Sequence, residues 1–127
     1  MTLLYYIQYN IVMKTVQINE IVIKMKQEML RGLTVAFIMK FLDSAQYGYA
    51  LQKELNDRGL EIGQDTLYPM LRRLEEQGLL ESEWRVDDPR PRRYYRLNQD
   101  GRLVLDKLKI ELEKIEQITR RVLYGNE

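Results

Sequence analysis

The apolar and polar residues between Ile62 and Trp84 follow a pattern that predicts a helix, a turn and a strand. Leu67, Leu71 and Leu74 recur at i, i+4 and i+7 and therefore share one face of the helix. Hydroxyl, phenol and guanidinium groups occupy the other faces of this helix. A helix with two such sides is able to rest on a core and reach into a groove, although many ordinary surface helices share the pattern.

Two predicted helices precede this stretch. Residues 27–42 are apolar on almost every side, which favours a core helix that also shares in a dimer interface, with Leu30 and Phe37 as candidate contacts. A short amphipathic helix follows and stops at Gly59. Because only a short connection leads from there to the helix that stops at Gly78, the spacing is that of a helix-turn-helix motif.

After Gly78 the pattern changes to period two and predicts a β-hairpin over residues 81–97. Pro89 and Pro91 have no backbone donor, so we place them at its tip. This hairpin is the most basic part of the chain, with arginines at Arg85, Arg90, Arg92, Arg93 and Arg96. A basic hairpin beside a helix-turn-helix motif is typical of a DNA-binding wing, and the alternative is a solvated hairpin that protects a sheet edge.

A long last helix is predicted from Gln99 to about Tyr124, with Asn98 as its cap. At ~1.5 Å per residue, about 26 residues make a rod of ~39 Å. Its apolar stripe has a 3-4 spacing and consists of Leu105, Leu108, Leu112, Ile115 and Val122. Since a domain of this size cannot bury the whole stripe, we expect it to pair with a second copy, the alternative being packing on its own chain alone.

Residues 1–24 are the least interpretable part of the chain. Tyr5, Ile7 and Tyr9 alternate with less apolar residues, which favours a strand. No apolar run approaches the ~18 residues of a transmembrane helix, and the features of a signal peptide are missing. We therefore expect an N-terminal extension of unknown role, with the working domain beginning near Met25.

The composition excludes several kinds of function. The chain has 127 residues, no cysteine and no histidine, and a net charge of +1. A zinc or copper site and the usual catalytic triads need residues that it lacks, and no Gly-rich phosphate loop is present. We expect one domain with an appended helix, no cofactor, no membrane partner, and a place in the cytoplasm. An enzyme that relies on paired carboxylates is the weakest alternative.

Three segments resemble the PadR family of bacterial transcriptional regulators, and the resemblance covers roughly residues 25–123. The segments read YGYALQKEL, DTLYPMLRRLEEQGLLESEW and RPRRYYRLNQDGR. The resemblance implies a mainly α fold with a small β-hairpin: a winged helix-turn-helix domain at 25–98, and at 99–127 a dimerisation helix that swaps across a two-fold axis. It also implies a repressor that binds an inverted-repeat operator in double-stranded DNA and is released by a small-molecule or stress signal.

The resemblance also implies which residues meet DNA. Tyr49 opens the first helix of the motif, Thr66 and Tyr68 lie at the start of the recognition helix, and Arg72 is on its exposed face. The full set expected to bind DNA is Tyr49, Gln64, Thr66, Tyr68, Arg72, Arg73, Arg90, Arg92, Arg93 and Tyr94. We expect the leucines of the same region to lie in the core, namely Leu67, Leu71, Leu74 and Leu80.

The start of the recognition helix departs from the family pattern. Gly63, Gln64 and Asp65 stand where relatives often carry Ser-Pro-Gly. Gly63 is a weaker cap than serine, and the Asp65 carboxylate would repel phosphate if it faced DNA. Because proline is tolerated in the first turn of a helix or at a kink, Pro69 places the helix start close to Asp65 or Thr66.

The wing tip and the last helix depart as well. Asp87, Asp88 and Pro89 make an acidic, stiff tip where relatives often have glycines. The last helix lacks the tryptophan with which some relatives sense flat drugs, so the effector pocket is unassigned. Trp84 is the single tryptophan of the chain, and we expect it in the core.

These inferences predict a homodimer that places two recognition helices in major grooves about one turn, ~34 Å, apart. An effector would change the angle between the two winged heads through the paired C-terminal helices. The main alternative is a winged-helix module that binds another protein, which the near-neutral net charge permits. That alternative predicts DNA binding that is absent or insensitive to salt.

Overall fold

The computed structural model describes residues 2–86 and 89–125, and the predicted acidic tip at Asp87 and Asp88 lies outside them. The fold is mainly helical with a small antiparallel sheet, as predicted. Its elements in chain order are α1 (Leu3–Phe41), β1 (Gln46–Tyr47), α2 (Gly48–Asp57), α3 (Gln64–Glu76), β2 (Leu80–Arg85), β3 (Arg92–Leu97) and α4 (Gln99–Tyr124).

The chain divides into two compact units, one ending at Thr34 and the other beginning at Val35. In the first unit the predicted strand is wrong, because residues 3–34 are helical. Apolar residues also fill the positions between the alternating ones, as at Leu4 and Tyr6, so the true period is not two. A helix satisfies its backbone hydrogen bonds within one segment, whereas a strand needs a partner. None of the helices in the described ranges has the length and apolar character needed to cross a membrane.

The core of the second unit is built around the helix-turn-helix motif. Leu51 and Leu55 of α2 are buried there together with Leu67, Leu71 and Leu74 of α3, so the predicted core face of the recognition helix is confirmed. The same core takes in the end of α1, the sheet and the start of α4 through Ile38, Met39, Leu42, Leu80, Tyr95, Leu97 and Leu105.

The placement of Trp84 corrects a prediction. It was expected in the core, but it is 66% exposed. Alternation along β2 puts it on the same face as Leu80 and Ser82, and burial falls steadily along that face, from buried through half-buried to exposed. The strand therefore runs past the edge of the core before it reaches Trp84.

The sheet has three strands in the order β1-β3-β2, all antiparallel. The predicted hairpin is confirmed, with Leu80 opposite Leu97 and Arg85 opposite Arg92. β1 was not predicted, because two residues are too few to establish a period. It adds Tyr47 opposite Tyr94 at the other edge of β3.

The joint between β3 and α4 depends on Asn98. Its side-chain oxygen accepts a hydrogen bond of 2.8 Å from the Gly101 amide, which confirms the predicted cap, and its side-chain nitrogen donates to the Gly78 carbonyl at 2.6 Å. The Asn98 amide also donates to the Leu79 carbonyl at 3.1 Å. One side chain and one amide thus tie the start of α4 to the turn that ends α3.

α4 begins and ends where the sequence predicts. Leu105 is buried in the core of its own chain, and Leu108 and Leu112 are partly buried against that core. Farther along the stripe, Ile115 and Val122 are 56% and 74% exposed. The chain itself therefore covers only the first half of the predicted stripe.

We expect Gly101→Ala to lower the free energy of unfolding by about 2 kcal/mol, because its methyl group would collide with the Leu79 carbonyl oxygen and lie 2.8 Å from a Leu97 methyl carbon. Urea denaturation followed by circular dichroism measures this loss. Gly32→Ala is the matched control, since it is also helical and its Cβ would meet nothing within 4 Å. If the Gly101→Ala and Gly32→Ala variants are equally stable, α4 does not approach the turn after α3 this closely.

Candidate nucleic-acid interface

The turn between α2 and α3 is held by two amide side chains of α2. The Gln52 side chain donates to the Ile62 carbonyl at 3.0 Å, and the Asn56 side chain accepts from the Ile62 amide at 3.0 Å. Gly59 takes the left-handed conformation that turns the chain, with φ of 93°. Sequence reasoning missed this clamp, although amides at i and i+4 on one helix face are a signal for it.

The recognition helix α3 starts at Gln64, slightly before the predicted position. Gly63 is its N-cap and offers no side-chain hydrogen bond, as its lack of a side chain requires. Pro69 lies inside the helix rather than in its first turn, so the Asp65 carbonyl has no i+4 amide to accept from. A helix with a weak cap and an internal proline depends on the burial of its leucines for stability.

The outward side of α3 carries the polar residues that the sequence singled out. Gln64, Thr66, Arg72 and Arg73 are exposed, and Tyr68 is 36% exposed. The ring of Tyr68 lies against Gly48 at the start of α2, so closely that a Cβ at Gly48 would come within 2.5 Å of the phenol oxygen.

The start of α2 lies beside this face. Tyr49, on its first turn, is 58% exposed. The contact between Tyr68 and Gly48 therefore brings the predicted residues of α2 and α3 to one surface.

A polar network fastens the wing, residues 80–97, to the recognition helix. An Arg93 guanidinium nitrogen lies 2.7 Å from a carboxylate oxygen of Glu75 on α3. The same guanidinium donates to the Ser82 hydroxyl at 2.9 and 3.1 Å, and that hydroxyl donates to the other Glu75 oxygen. Arg93 therefore faces α3. The sequence drew attention to Arg93 but not to Glu75 and Ser82, whose partners come from pairing between distant elements.

Tyr95 lies at the base of this network. It is buried, and burial raises the pKa of its phenol above the ordinary value of 10.0, against a smaller lowering by the Arg93 charge. The phenol is therefore neutral at physiological pH and contributes apolar surface to the core.

The outer face of the wing is a layer of guanidinium groups and aromatic rings. Arg85 lies over the ring of Tyr94 at 4.1 Å, and Arg92 over the ring of Tyr47 at 4.6 Å. The two rings are themselves 5.6 Å apart. Arg85 also pairs with Glu83 at 2.8 Å. The aromatic rings thus order the arginine side chains of β2 and β3.

Carboxylates compensate part of the basic patch that the sequence predicts. Besides the pairs of Arg85 and Arg93, Arg96 pairs with Glu81 at 3.0 Å. Arg90 is exposed and follows the residues that the structure leaves undescribed. The wing is therefore less positive than its arginine content suggests.

The match to known proteins agrees with this geometry. The model of the transcriptional regulator PadR-like family matches residues 38–107, from the end of α1 to the first turns of α4. The chain belongs to the PadR family. The protein is therefore a transcriptional regulator of a DNA-binding, winged helix-turn-helix family. Its winged helix-turn-helix domain contains the motif formed by α2 and α3 and the hairpin formed by β2 and β3.

Individual PadR relatives support the assignment. The transcriptional regulator Rv3488 of Mycobacterium tuberculosis is 42% identical over 83 residues, which are 65% of this chain and 75% of that protein. A crystal structure of a PadR family regulator from Eggerthella lenta is 39% identical, with a TM-score of 0.83 over 87% of this chain and 99% of that one. A PadR-like transcription factor from Bacteroides fragilis is 28% identical, with a TM-score of 0.67 over 78% and 98% of the two chains.

A groove separates the recognition helix from the wing in this PadR protein. It has a volume of about 380 Å³ and lies at the meeting of β1, α2, α3 and the hairpin. The described residues that line it are Tyr47, Gly48, Tyr68, Trp84, Pro91, Arg92, Arg93 and Tyr95. We call it the wing groove. Its walls include Trp84, which is 66% exposed, and Tyr68, which is 36% exposed.

We expect Asn56→Ala to destabilise the fold by about 1–3 kcal/mol, because the largely buried Ile62 would keep an amide without an acceptor. Asn56→Asp retains the acceptor oxygen and should lose much less. Urea denaturation compares the two variants, and hydrogen exchange at the Ile62 amide should accelerate only in the alanine variant. If hydrogen exchange at the Ile62 amide is unchanged in both variants, another group holds the turn.

Proposed function

We propose that this protein is a homodimeric repressor that places α3 of each subunit in a major groove of an inverted-repeat operator. The observation that carries the proposal is the joining of α3 to the wing through Glu75, Ser82 and Arg93. This network keeps the polar face of α3 and the arginines of the hairpin on one rigid body. A major groove and the adjacent backbone are able to meet both elements together.

The α3 residues divide into readers and backbone contacts. The Gln64 amide both donates and accepts hydrogen bonds, and the Arg72 guanidinium donates them, so both suit base edges. The hydroxyl groups of Thr66 and Tyr68 suit phosphate oxygens, which position a protein without reading sequence. Arg73, one position along from Arg72, and Tyr49 at the start of α2 contact the flanking backbone.

The wing contributes in two different ways. Arg92 and Arg90 are its phosphate-contacting cations, and Tyr94 orders the outer layer by supporting Arg85. Arg93 instead acts as a positioning residue, because its guanidinium already faces Glu75 and Ser82. The number of phosphate contacts then depends on Arg90 and Arg92 and not on Arg93.

Dimerisation through α4 is supported by its uncovered stripe. Ile115 and Val122 continue the line of Leu105, Leu108 and Leu112 beyond the core of the chain. Pairing two such helices removes these side chains from water, which is the principal driving force for association. Phe37, 36% exposed on α1, and the half-buried Leu30 are further contact candidates.

Release of DNA follows from the same arrangement. Asn98 couples α4 to the turn after α3 within each subunit, so a change at the dimer contact reaches the recognition helix through a short rigid path. A small-molecule or stress signal that alters the angle between the paired helices would separate the two heads from successive grooves. Only a signal that binds one arrangement better than the other is able to do this.

A protein-binding role is the second candidate, and one observation favours it. Arg85, Arg93 and Arg96 are each paired with a glutamate of the same domain, and the net charge is only +1. A neutralised wing suits a protein surface better than a polyanion. This candidate predicts weak or salt-insensitive DNA binding.

We expect tight binding to the promoter upstream of its own gene, with log affinity falling steeply as log salt rises. Fluorescence anisotropy of the labelled duplex measures this slope. Arg92→Ala should weaken binding to all sequences and make the slope shallower by about 1, whereas Arg93→Ala should weaken binding at an unchanged slope. Lys107→Ala, on α4, is the control for a lost surface charge and should change neither quantity.

Absence of binding at low salt to promoter and random DNA alike would favour the protein-binding module. Repression itself is tested by transcription in vitro from the same promoter, which the protein should inhibit in proportion to DNA occupancy. Stimulated transcription would contradict the repressor assignment while leaving the DNA contact intact.

We expect Ile115→Glu combined with Val122→Glu to convert the dimer to monomer at micromolar concentration without unfolding it. Both side chains are exposed in the single chain, so the charges cost little there, whereas burying them unpaired in a dimer costs several kcal/mol. Sedimentation equilibrium measures the mass. Gln117→Glu adds one negative charge on the opposite side of α4, at about 100° per residue, and should remain dimeric. A dimeric double variant would place the contact elsewhere.

A further inference from the structure

The helical segment 3–34 of α1 exposes many large apolar side chains. All residues from 3 to 29 are exposed, and Ile11 and Met29, for example, are 61% and 70% exposed. Isoleucine, valine and tyrosine are frequent here and are only moderate helix formers. Because helices in proteins gain most of their stability from the packing of an apolar face, this segment needs a partner surface. The PadR family model matches residues 38–107 and does not account for it.

One line of side chains along this segment has the spacing of a coiled-coil seam. Its members are separated alternately by four and three residues: Ile11, Thr15, Ile18, Val22, Met25 and Met29. We call this line the N-terminal seam. A line with this average spacing of about 3.5 residues stays on one side of a helix and packs into the holes of a second helix. Another line, from Tyr5 to Leu30, has the same spacing but is interrupted by Asn19 and Lys26.

The polar member of the N-terminal seam does not oppose its burial. The Thr15 hydroxyl donates a hydrogen bond of 3.0 Å to the Ile11 carbonyl within the same helix. Its donor is therefore satisfied, and its methyl group is available for apolar contact. Packing against another helix would leave no unpaired hydroxyl proton at this position, so the seam behaves as apolar along its whole length.

The charges beside the seam match a second copy that runs antiparallel. The members of the seam lie at equal distances on either side of its middle, so such a copy places Ile11 opposite Met29 of the second copy. Lys14 and Glu28 lie on one edge of the seam, each seven residues from Ile21. Antiparallel pairing brings Lys14 of each chain beside Glu28 of the other. In a parallel pair these two charges would be ~21 Å apart along the axis.

We propose that the N-terminal seam binds the same seam of a second copy of this chain in antiparallel orientation, with Lys14 paired with Glu28 across the contact. The interface lies on a different helix from the contact proposed for α4. A seam of ~27 Å pairs weakly between free chains and is strengthened when another contact holds the two copies together. It therefore does not by itself keep chains with a charged α4 stripe dimeric at micromolar concentration.

Cysteine cross-linking of the full chain tests both the contact and its direction, because the chain has no cysteine of its own. Ile11→Cys and Met29→Cys chains, co-expressed with tags of different size, should form a mixed disulfide under mild oxidation. Neither variant alone should form one, since identical positions would lie ~27 Å apart, far beyond the reach of a disulfide. Denaturing gels without reductant and mass spectrometry identify the products.

Glu20→Cys is the matched control. Position 20 lies at the middle of the seam but on the opposite side of the helix, at about 100° per residue, so this variant should not cross-link. A disulfide between two Ile11→Cys chains would show parallel pairing and overturn the proposal. Absence of any cross-link would overturn it as well. Uncross-linked protein that sediments with phosphatidylethanolamine–phosphatidylglycerol vesicles would assign this face to a lipid surface instead.

Exchange of the two flanking charges gives a second readout. Lys14→Glu in both chains should lower the fraction of mixed disulfide several-fold, because it places two carboxylates side by side. Lys14→Glu combined with Glu28→Lys should restore that fraction. Lys24→Glu makes the same change of charge away from the seam and should leave the fraction unchanged. If the exchange does not restore cross-linking, the antiparallel register is wrong.

Discussion

Burial of the leucine face of α3 is the constraint on which the rest of the winged domain depends. Leu67, Leu71 and Leu74 remove one side of the helix from water, while Gly63 gives it no side-chain cap and Pro69 removes one of its backbone bonds. Local sequence alone would make this a poor helix. Its position is therefore set by the core, and its outward side is free to carry residues chosen for binding.

Two sets of side-chain hydrogen bonds connect this helix to its neighbours. Gln52 and Asn56 hold the turn before it, and Asn98 holds the turn after it to the start of α4. Both satisfy backbone groups that would otherwise be unpaired at a chain reversal. In this arrangement the winged domain and the beginning of α4 share one core. It fits membership of the PadR family and the high structural similarity to solved members of that family.

The sequence predicts those features that depend on neighbours along the chain. The bounds of α4 agree because a long periodic stripe is marked at its start by Asn98, and the hairpin agrees because its prolines mark the tip. Two of the features it misses depend on distant partners. β1 exists only because Tyr47 lies opposite Tyr94, and Arg93 turns inward only because Glu75 lies there. Residues 3–34 are a different case, since they satisfy their backbone locally as a helix despite their alternation.

The contact between Tyr68 and Gly48 has a consequence for exchanging α3 between relatives. The phenol rests where position 48 has no side chain, so the face of α3 is shaped in part by a residue of the preceding helix. Transplanting α3 alone into a scaffold with a larger residue there would displace the ring and tilt its hydroxyl. The shape of the outward face of α3 is therefore a property of a pair of positions on two helices, and it is kept only when both are exchanged together.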